Sequence, residues 1–446
     1  MRVRADSVLS SCRGLLAAAL MSSASGGVRA QPAESPAPVE REVALPELAG
    51  VRLSGFFIGS ANYNSRIQMV PEFAGSAPVS SEPTQVDFRF DQFTLGAFKT
   101  FSSWLSAGAS IEVERHGHRH SHGFDPDFGC PGTGPCVEQF GAEPIATEVN
   151  LHRFNVTAIA PIGNGIAFSV GRFDTPFGYE RHDAALNLTA TLSELQLYGR
   201  PQSMTGLQVA TQLTPSLDVA AWLVNRWENE TTEDPIEDNN RAKSVGGRIG
   251  FTPLQGASLL NFGVGGFWGP ERDGDDSHAR WMVDADLTWS LGSRLVLAAE
   301  FVHGAESAVS FRRRGTPFAA PAVEGADVAW NGLYALVHYD LLGWFGISAR
   351  YGWFDDADGA RTGVAQVLQS VTLTPIVHLS RLIPDLRPLG VAYARTQHAI
   401  DWVDLRLEYR FAHSDQPVFA DVGPGIPVTS ASNSAHQVTF QVIANF

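Results

Sequence analysis

From Val51 onward the chain divides into segments of about ten residues in which apolar and polar side chains alternate, the form in which a membrane-crossing strand shows itself in sequence. The last segment, Ser434 to Phe446, reads SAHQVTFQVIANF. Val438, Phe440, Val442, Ala444 and Phe446 share one parity, while Gln437, Thr439, Gln441 and Asn445 take the other. A period of two is that of a strand with one apolar and one wet face. The same reading predicts sixteen strands, over 51–64, 85–101, 104–116, 146–160, 165–173, 203–213, 217–227, 243–253, 258–268, 279–291, 294–304, 328–341, 344–354, 365–374, 402–412 and 434–446. The tight links Ser102-Ser103, Pro161 to Asn164, Thr214-Pro215-Ser216, Leu254 to Ala257, Gly292-Ser293 and Leu342-Gly343 alternate with long polar loops. Together these predict an all-β fold: an antiparallel up-and-down transmembrane β-barrel of about 16 strands, with short periplasmic turns and long extracellular loops. A β-sandwich does not predict such regular alternation. No run of about 18 consecutive apolar residues stands in the chain, which argues against a membrane-spanning helix.

One link breaks the rule. Pro375 to Asp401 is long where a tight turn is expected, and it reads as a periplasmic insertion, either inert or a small plug or partner contact. If Leu389 to Thr396 is a strand, the count moves by two.

Alternation also assigns faces. In 402–412, Val403, Leu405, Leu407, Tyr409 and Phe411 point to lipid and Asp404, Arg406, Glu408 and Arg410 to the lumen; in 344–354, Phe345, Ile347, Ala349 and Tyr351 alternate with Ser348 and Arg350. Glu112, Glu114, Arg248, Asp284, Asp286 and Glu300 fall on the same inner face. Charges cost several kcal/mol in hydrocarbon and little in water, so this lumen is expected to be hydrated. Trp104, Trp289, Trp344 and Trp402 at the turn ends, and Trp227, Trp268, Trp281, Trp330 and Trp353 towards the loop ends, are expected to form two girdles, with Trp222 apart at mid-strand.

Ahead of Val51, Arg2, Arg4 and Arg13 precede the short apolar run Leu15 to Met21, and Val28-Arg29-Ala30 precedes Gln31. This reads as a signal peptide over 1–30, followed by a Pro-, Ala- and Glu-rich lead-in over 31–50. Removing residues 1–30 takes four Arg and one Asp from the 32 basic and 47 acidic residues, leaving a net charge of −18. That balance argues against nucleic acid and weakly favours cations or neutral solutes. Export leaves Cys130 and Cys136, in GCPGTGPC, whose spacing suits a small disulfide-closed loop, with a metal pair or redox site as the alternative.

Candidate chemistry concentrates in two places. Gly171 to Val209 reads GRFDTPFGYERHDAALNLTATLSELQLYGRPQSMTGLQV. Gly171-Arg172-Phe173, Thr175, Gly178-Tyr179-Glu180, Pro201 and Thr205-Gly206 resemble the signature of the beta-barrel porin-2, or OmpL-like, family, with the phosphate-selective porins second. The closing Phe446 likewise resembles the terminal residue by which outer-membrane barrels are marked for insertion by the assembly machinery. The resemblance implies a passive pore in the bacterial outer membrane and names no solute. General porins fold one loop inward, and 174–202 is the candidate here, with Arg172, Glu180, Arg181, His182, Asp183 and Arg200 setting a size limit and a transverse field; the other reading is a structured turn with solvated ions. The second place is His116, His118, His120 and His122, whose period of two suits Zn²⁺, Cu²⁺ or Ni²⁺, although Arg115 and Arg119 among them suit a solvated loop as well.

No G-x-S-x-G, H-E-x-x-H or phosphate-loop spacing points to an enzyme. The expectation is therefore a porin, a passive diffusion channel for small hydrophilic solutes or ions. It requires no cofactor, sits in the outer-membrane bilayer and binds no nucleic acid, with a homo-oligomer left open. The alternatives are a closed or narrow barrel serving as an adhesion or scaffold protein, and a metal-responsive uptake channel using the His-rich loop.

Overall fold

The computed structural model describes residues 50–70, 79–80, 86–116, 146–227, 238, 240–256, 258–272, 274–312, 322–362, 364–383, 403–420 and 431–446. The expected leader and most of the lead-in, over 1–49, fall outside the described residues. The barrel strands are β1 (Val51–Asn64), β2 (Val86–Ser102), β3 (Leu105–His116), β4 (Ala146–Ala160), β5 (Ile166–Asp174), β6 (Ser203–Thr214), β7 (Leu217–Val224), β8 (Ser244–Leu254), β9 (Ser258–Arg272), β10 (Asp275–Leu291), β11 (Leu295–Arg312), β12 (Ala322–Leu342), β13 (Phe345–Asp356), β14 (Gln366–His378), β15 (Val403–Ser414) and β16 (Ser434–Asn445). Each pairs antiparallel with its sequence neighbours, and β16 pairs with β1, so all sixteen close into one barrel without a free edge. Beyond the loop ends, Ile67–Val70, Val79–Ser80, Phe419–Ala420 and Ala431–Ser432 form a small four-stranded sheet near the closing seam.

The seam between β1 and β16 pairs Phe56–Asn64 with Gln437–Asn445 and extends to Phe446. Phe446 and Gly55 exchange both backbone hydrogen bonds at 2.9 Å, and the Phe446 ring stacks on Phe93 at 6.0 Å. A Cβ on Gly55 would run into the Thr94 carbonyl and the Phe446 ring. Gly55→Ala is therefore expected to lower stability by about 1–3 kcal/mol, seen as a lower temperature for the heat-induced shift in gel mobility.

The alternation holds on the outer face: Phe168, Val264, Val371, Leu407 and Phe440 are exposed there, where hydrocarbon would cover them. Several expectations are corrected. The link after β9 is a tight turn, with Arg272 paired to Asp275, because ladder hydrogen bonds continue above the membrane whatever the side chains are. β14 runs on to His378, which places Pro375 inside the strand opposite Ile347; a short helix, α1 (Leu379–Leu382), follows, and 384–402, with Trp402 and Leu389 to Thr396, lies outside the described residues. Trp104, Trp268 and Trp344 do stand exposed outside. Trp227 and Trp330 instead point inward and are 3% and 0% exposed, since Trp330 shares the parity of Tyr334 and Leu336. They pack edge-to-face at 6.1 Å, and Trp227 also meets Phe267 at 5.5 Å.

Candidate functional site: a loop threaded across the lumen

At the end of β5 the chain turns into the barrel. At Gly178, with φ +63°, it lies against the far wall where Glu300 leaves no room for a Cβ. The buried Tyr334 hydroxyl of β12 accepts the amide hydrogens of Tyr179 (3.0 Å) and Glu180 (3.1 Å). Glu180 then meets Arg350 of β13 at 2.6 Å and accepts the Ser193 amide at 3.1 Å. Arg200 donates to the Glu180 carbonyl at 2.9 Å and lies 2.6 Å from Glu300 of β11. The loop folds back on itself at Asn187, whose Oδ1 accepts the Arg181 amide (2.8 Å) and whose Nδ2 donates to the Arg181 carbonyl (2.7 Å).

The chain next crosses to the near wall, where His182 reaches Glu112 of β3 and Asp183 reaches Arg153 of β4. A 3₁₀ turn at Ala184–Leu186 follows, with Ala185 packed on Phe56, Ile58 and Ile443, while Arg406 donates to the carbonyls of Ala184 (3.2 Å) and Thr189 (3.1 Å). Glu408 accepts the amides of Ala190 (2.6 Å) and Thr191 (3.1 Å), and Arg410 pairs with Glu194 at 2.6 Å. A single π-helical turn, Leu195–Gly199, then brings Leu195 into the inner apolar cluster with Phe354, and Gly199 accepts the Trp330 indole N–H at 3.0 Å. The loop thus touches wall strands on opposite sides of the bore.

Some of the buried charges here are matched. Burial alone would push Glu194 up, yet Arg410 and Arg350 beside it hold it below the usual carboxylate range. Burial, with Arg200 close by, brings Arg181 down to about 10, so it still carries its proton at neutral pH.

The expected constriction residues Glu180, Arg181, His182, Asp183 and Arg200 all belong to this loop and line its contacts. Arg172 does not join them. It shares the parity of the outward-facing Phe168 and Val170, and its guanidinium donates to Ser203 Oγ (3.0 Å) and the Leu151 carbonyl (3.2 Å), tying β4, β5 and β6 together. Glu112, Arg248, Asp284, Asp286, Glu300, Arg350, Asp404, Arg406, Glu408 and Arg410 face inward as expected, but all except Arg410 are buried rather than water-lining, because loop or neighbouring wall covers them. Arg248 pairs with Asp286 at 2.9 Å within the wall, and His378 with Asp404 at 2.8 Å near the turn end. Glu114 and His116 lie on β3, with side chains outside the described residues; His118, His120, His122, Cys130 and Cys136 lie wholly outside them.

Two contributors, His152 and Arg153, escape a strict period of two. Opposite Ser110 and Ile111 the register slips, pairing Ser110 with Arg153 and Ile111 with Leu151, and His152 is the extra residue of the bulge. The sequence carries its trace: Val149 and Leu151 face out on odd positions, Val156 on an even one. Arg153 grips Asp174 (2.6 Å) and Asp183 (2.5 Å), clamping the start of the loop to its middle.

The family model described as Putative beta-barrel porin-2, OmpL-like, matches residues 137–446. No curated protein matches the chain. Among solved structures, the outer membrane channel DcaP of Acinetobacter baumannii is similar at 12% identity, over 90% of this chain and 99% of that one, with a TM-score of 0.50. The anion-selective porin from Comamonas acidovorans is similar at 12% identity, over 89% and 99%, with a TM-score of 0.50. OmpF of Salmonella typhi in complex with daunomycin is similar at 12% identity, over 89% and 97%, with a TM-score of 0.51. Likeness at such identity speaks for the fold, whereas the family match covers more than half of the sequence. The chain therefore belongs to the Putative beta-barrel porin-2, OmpL-like, family and is a diffusion channel of the bacterial outer membrane.

Proposed function

We propose that this porin passes small hydrophilic solutes or ions down their gradients, with Asp174–Gln202 as its selectivity element and a weak preference for cations. The observation that carries the reading is the fastening of one loop to walls on both sides of the bore by buried ion pairs, Glu180 to Arg350 on one side and Asp183 to Arg153 on the other. A filter held this way keeps a fixed aperture and a fixed field, which selects by size and charge without a dedicated binding pocket. No step of this transport is enzymatic or needs a cofactor.

The cation preference follows from which charges are already answered. The guanidinium groups of Arg153, Arg200, Arg248, Arg350 and Arg410 each meet a carboxylate, and those of Arg181 and Arg406, without a salt bridge among the described residues, are buried on backbone carbonyls. Asp91 and Asp218, half-buried on the inner wall, have no salt bridge among the described residues; Asp91 accepts the Ser60 hydroxyl at 2.9 Å and a hydrogen bond from Gln441. Their carboxylates are left to act on passing ions. The reversal potential of bilayer-inserted protein across a KCl gradient is expected to have the sign of K⁺ permeation, and Asp91→Asn with Asp218→Asn to move it towards Cl⁻. A Cl⁻ potential in the parent chain would refute the preference. Recognition of the β16 ending at Phe446 by the assembly machinery is part of the same proposal.

A further inference from the structure

Where the loop meets the near wall, four elements converge on one carboxylate. Glu112 Oε2 of β3 lies 2.9 Å from His152 Nδ1 on β4 and 3.0 Å from His182 Nε2 on the loop, and the three ligand atoms all fall within 4.8 Å of one another. The two imidazoles stack with centroids 4.7 Å apart. Gln92 of β2 donates to Oε1 of Glu112, which His182 Nε2 also approaches at 3.1 Å. We propose that Glu112, His152 and His182 bind one divalent cation of the borderline class typified by Zn²⁺, which pins the loop to the wall.

Four features point to a metal. Two imidazoles with one carboxylate suit Zn²⁺, Cu²⁺ or Ni²⁺ and do not suit the oxygen-seeking Mg²⁺ or Ca²⁺. Three protein ligands leave a fourth position for water, as in open zinc sites. The His182 ring also has the outer support that metal-bound histidines use, its Nδ1–H donating to Gln202 Oε1 at 3.1 Å, and His152 Nε2 stands 3.6 Å from Asp174 Oδ1 and Asp183 Oδ1. Glu112 and His152 are 1% and 4% exposed, so the donor atoms are buried.

Charge balance asks for the same thing. Arg153 pairs with Asp174 and Asp183 and Arg181 lies close to Asp174, while Glu112 meets the two imidazoles, so with those rings neutral its carboxylate is a buried negative charge. A divalent ion on Glu112 answers that charge, and Arg153 keeps its two aspartates. Two imidazolium ions would balance the charge as well, and the experiment separates these cases. None of its three ligands is among His116, His118, His120 and His122, and occupancy does not depend on whether the lumen conducts.

The test is retention of Zn²⁺ by the refolded full chain at neutral pH after gel filtration, alongside the visible absorption of a Co²⁺-loaded sample. The parent chain is expected to retain Zn²⁺, with an X-ray absorption shell of nitrogen and oxygen at about 2.0 Å. His182→Ala and His152→Ala should each lose one equivalent of Zn²⁺ and the Co²⁺ band, while Gln202→Ala weakens binding about tenfold and His118→Ala/His120→Ala leaves it unchanged. Heat-shifted gel mobility certifies that each variant is folded, and His182→Ala, lying in the loop, leaves the wall strands intact. Folded parent chain that retains no Zn²⁺, or equal retention in parent, His152→Ala and His182→Ala, would overturn the site and assign both imidazoles to protonated ion pairs.

Discussion

Arg350→Ala is expected to free the constriction loop and produce a larger, noisier single-channel current than the parent chain. The Arg350 side chain is fully buried and serves several loop groups: Glu180 Oε1 at 2.6 Å, Thr189 Oγ1 at 2.9 Å, the Leu192 carbonyl at 3.0 Å, Thr191 Oγ1 at 3.1 Å, and the Thr191 carbonyl. Truncation leaves Glu180 as a buried carboxylate without its arginine, a loss of about 3–5 kcal/mol. Arg350→Lys keeps the charge but not the planar fork, so it should fall between the two. Current and thermal transition unchanged in Arg350→Ala would show that the loop is held by something else.

The second large effect is expected at Gly178. Alanine there meets two penalties: a left-handed backbone that costs an L-residue about 1–2 kcal/mol, and collision of its Cβ with the Glu300 carboxylate. Glu300 cannot move aside without leaving Arg200, 2.6 Å away, so overpacking adds about 1–3 kcal/mol. Gly163, in the tight turn before β5, has φ +59° and open space around it, and Gly163→Ala should show the backbone penalty alone. Thermal unfolding followed by gel mobility compares the two. Equal destabilisation would mean that the Gly178–Glu300 contact does not constrain the loop.

Much of the barrel was legible because lipid and lumen impose a period of two on each strand, and tight turns mark where strands reverse. The closing strand, the strand count and the inward parity of Arg350, Arg406 and Glu408 came from that rule. What it could not show were contacts between residues far apart in the chain, such as the Tyr334 hydroxyl with the amides of Tyr179 and Glu180. A parity rule separates two faces but does not say what fills the inside. For that reason Trp227 and Trp330 read as girdle residues and prove to face inward, Trp330 against Gly199 of the loop. Arg172 read as a pore residue because of its place beside the loop, although its parity is that of the outer wall. His152 and Arg153 went unseen because a bulge shifts the parity of β4 midway, a shift that Val149, Leu151 and Val156 record.

The central claim is that a loop fastened across the lumen still leaves a conducting path. Single-channel recording of the refolded chain in a planar bilayer tests it most directly. Steady ohmic steps of one size are the expected result. Silence from protein whose β-sheet spectrum and heat-shifted mobility show that it is folded would contradict the claim and make the barrel a closed one.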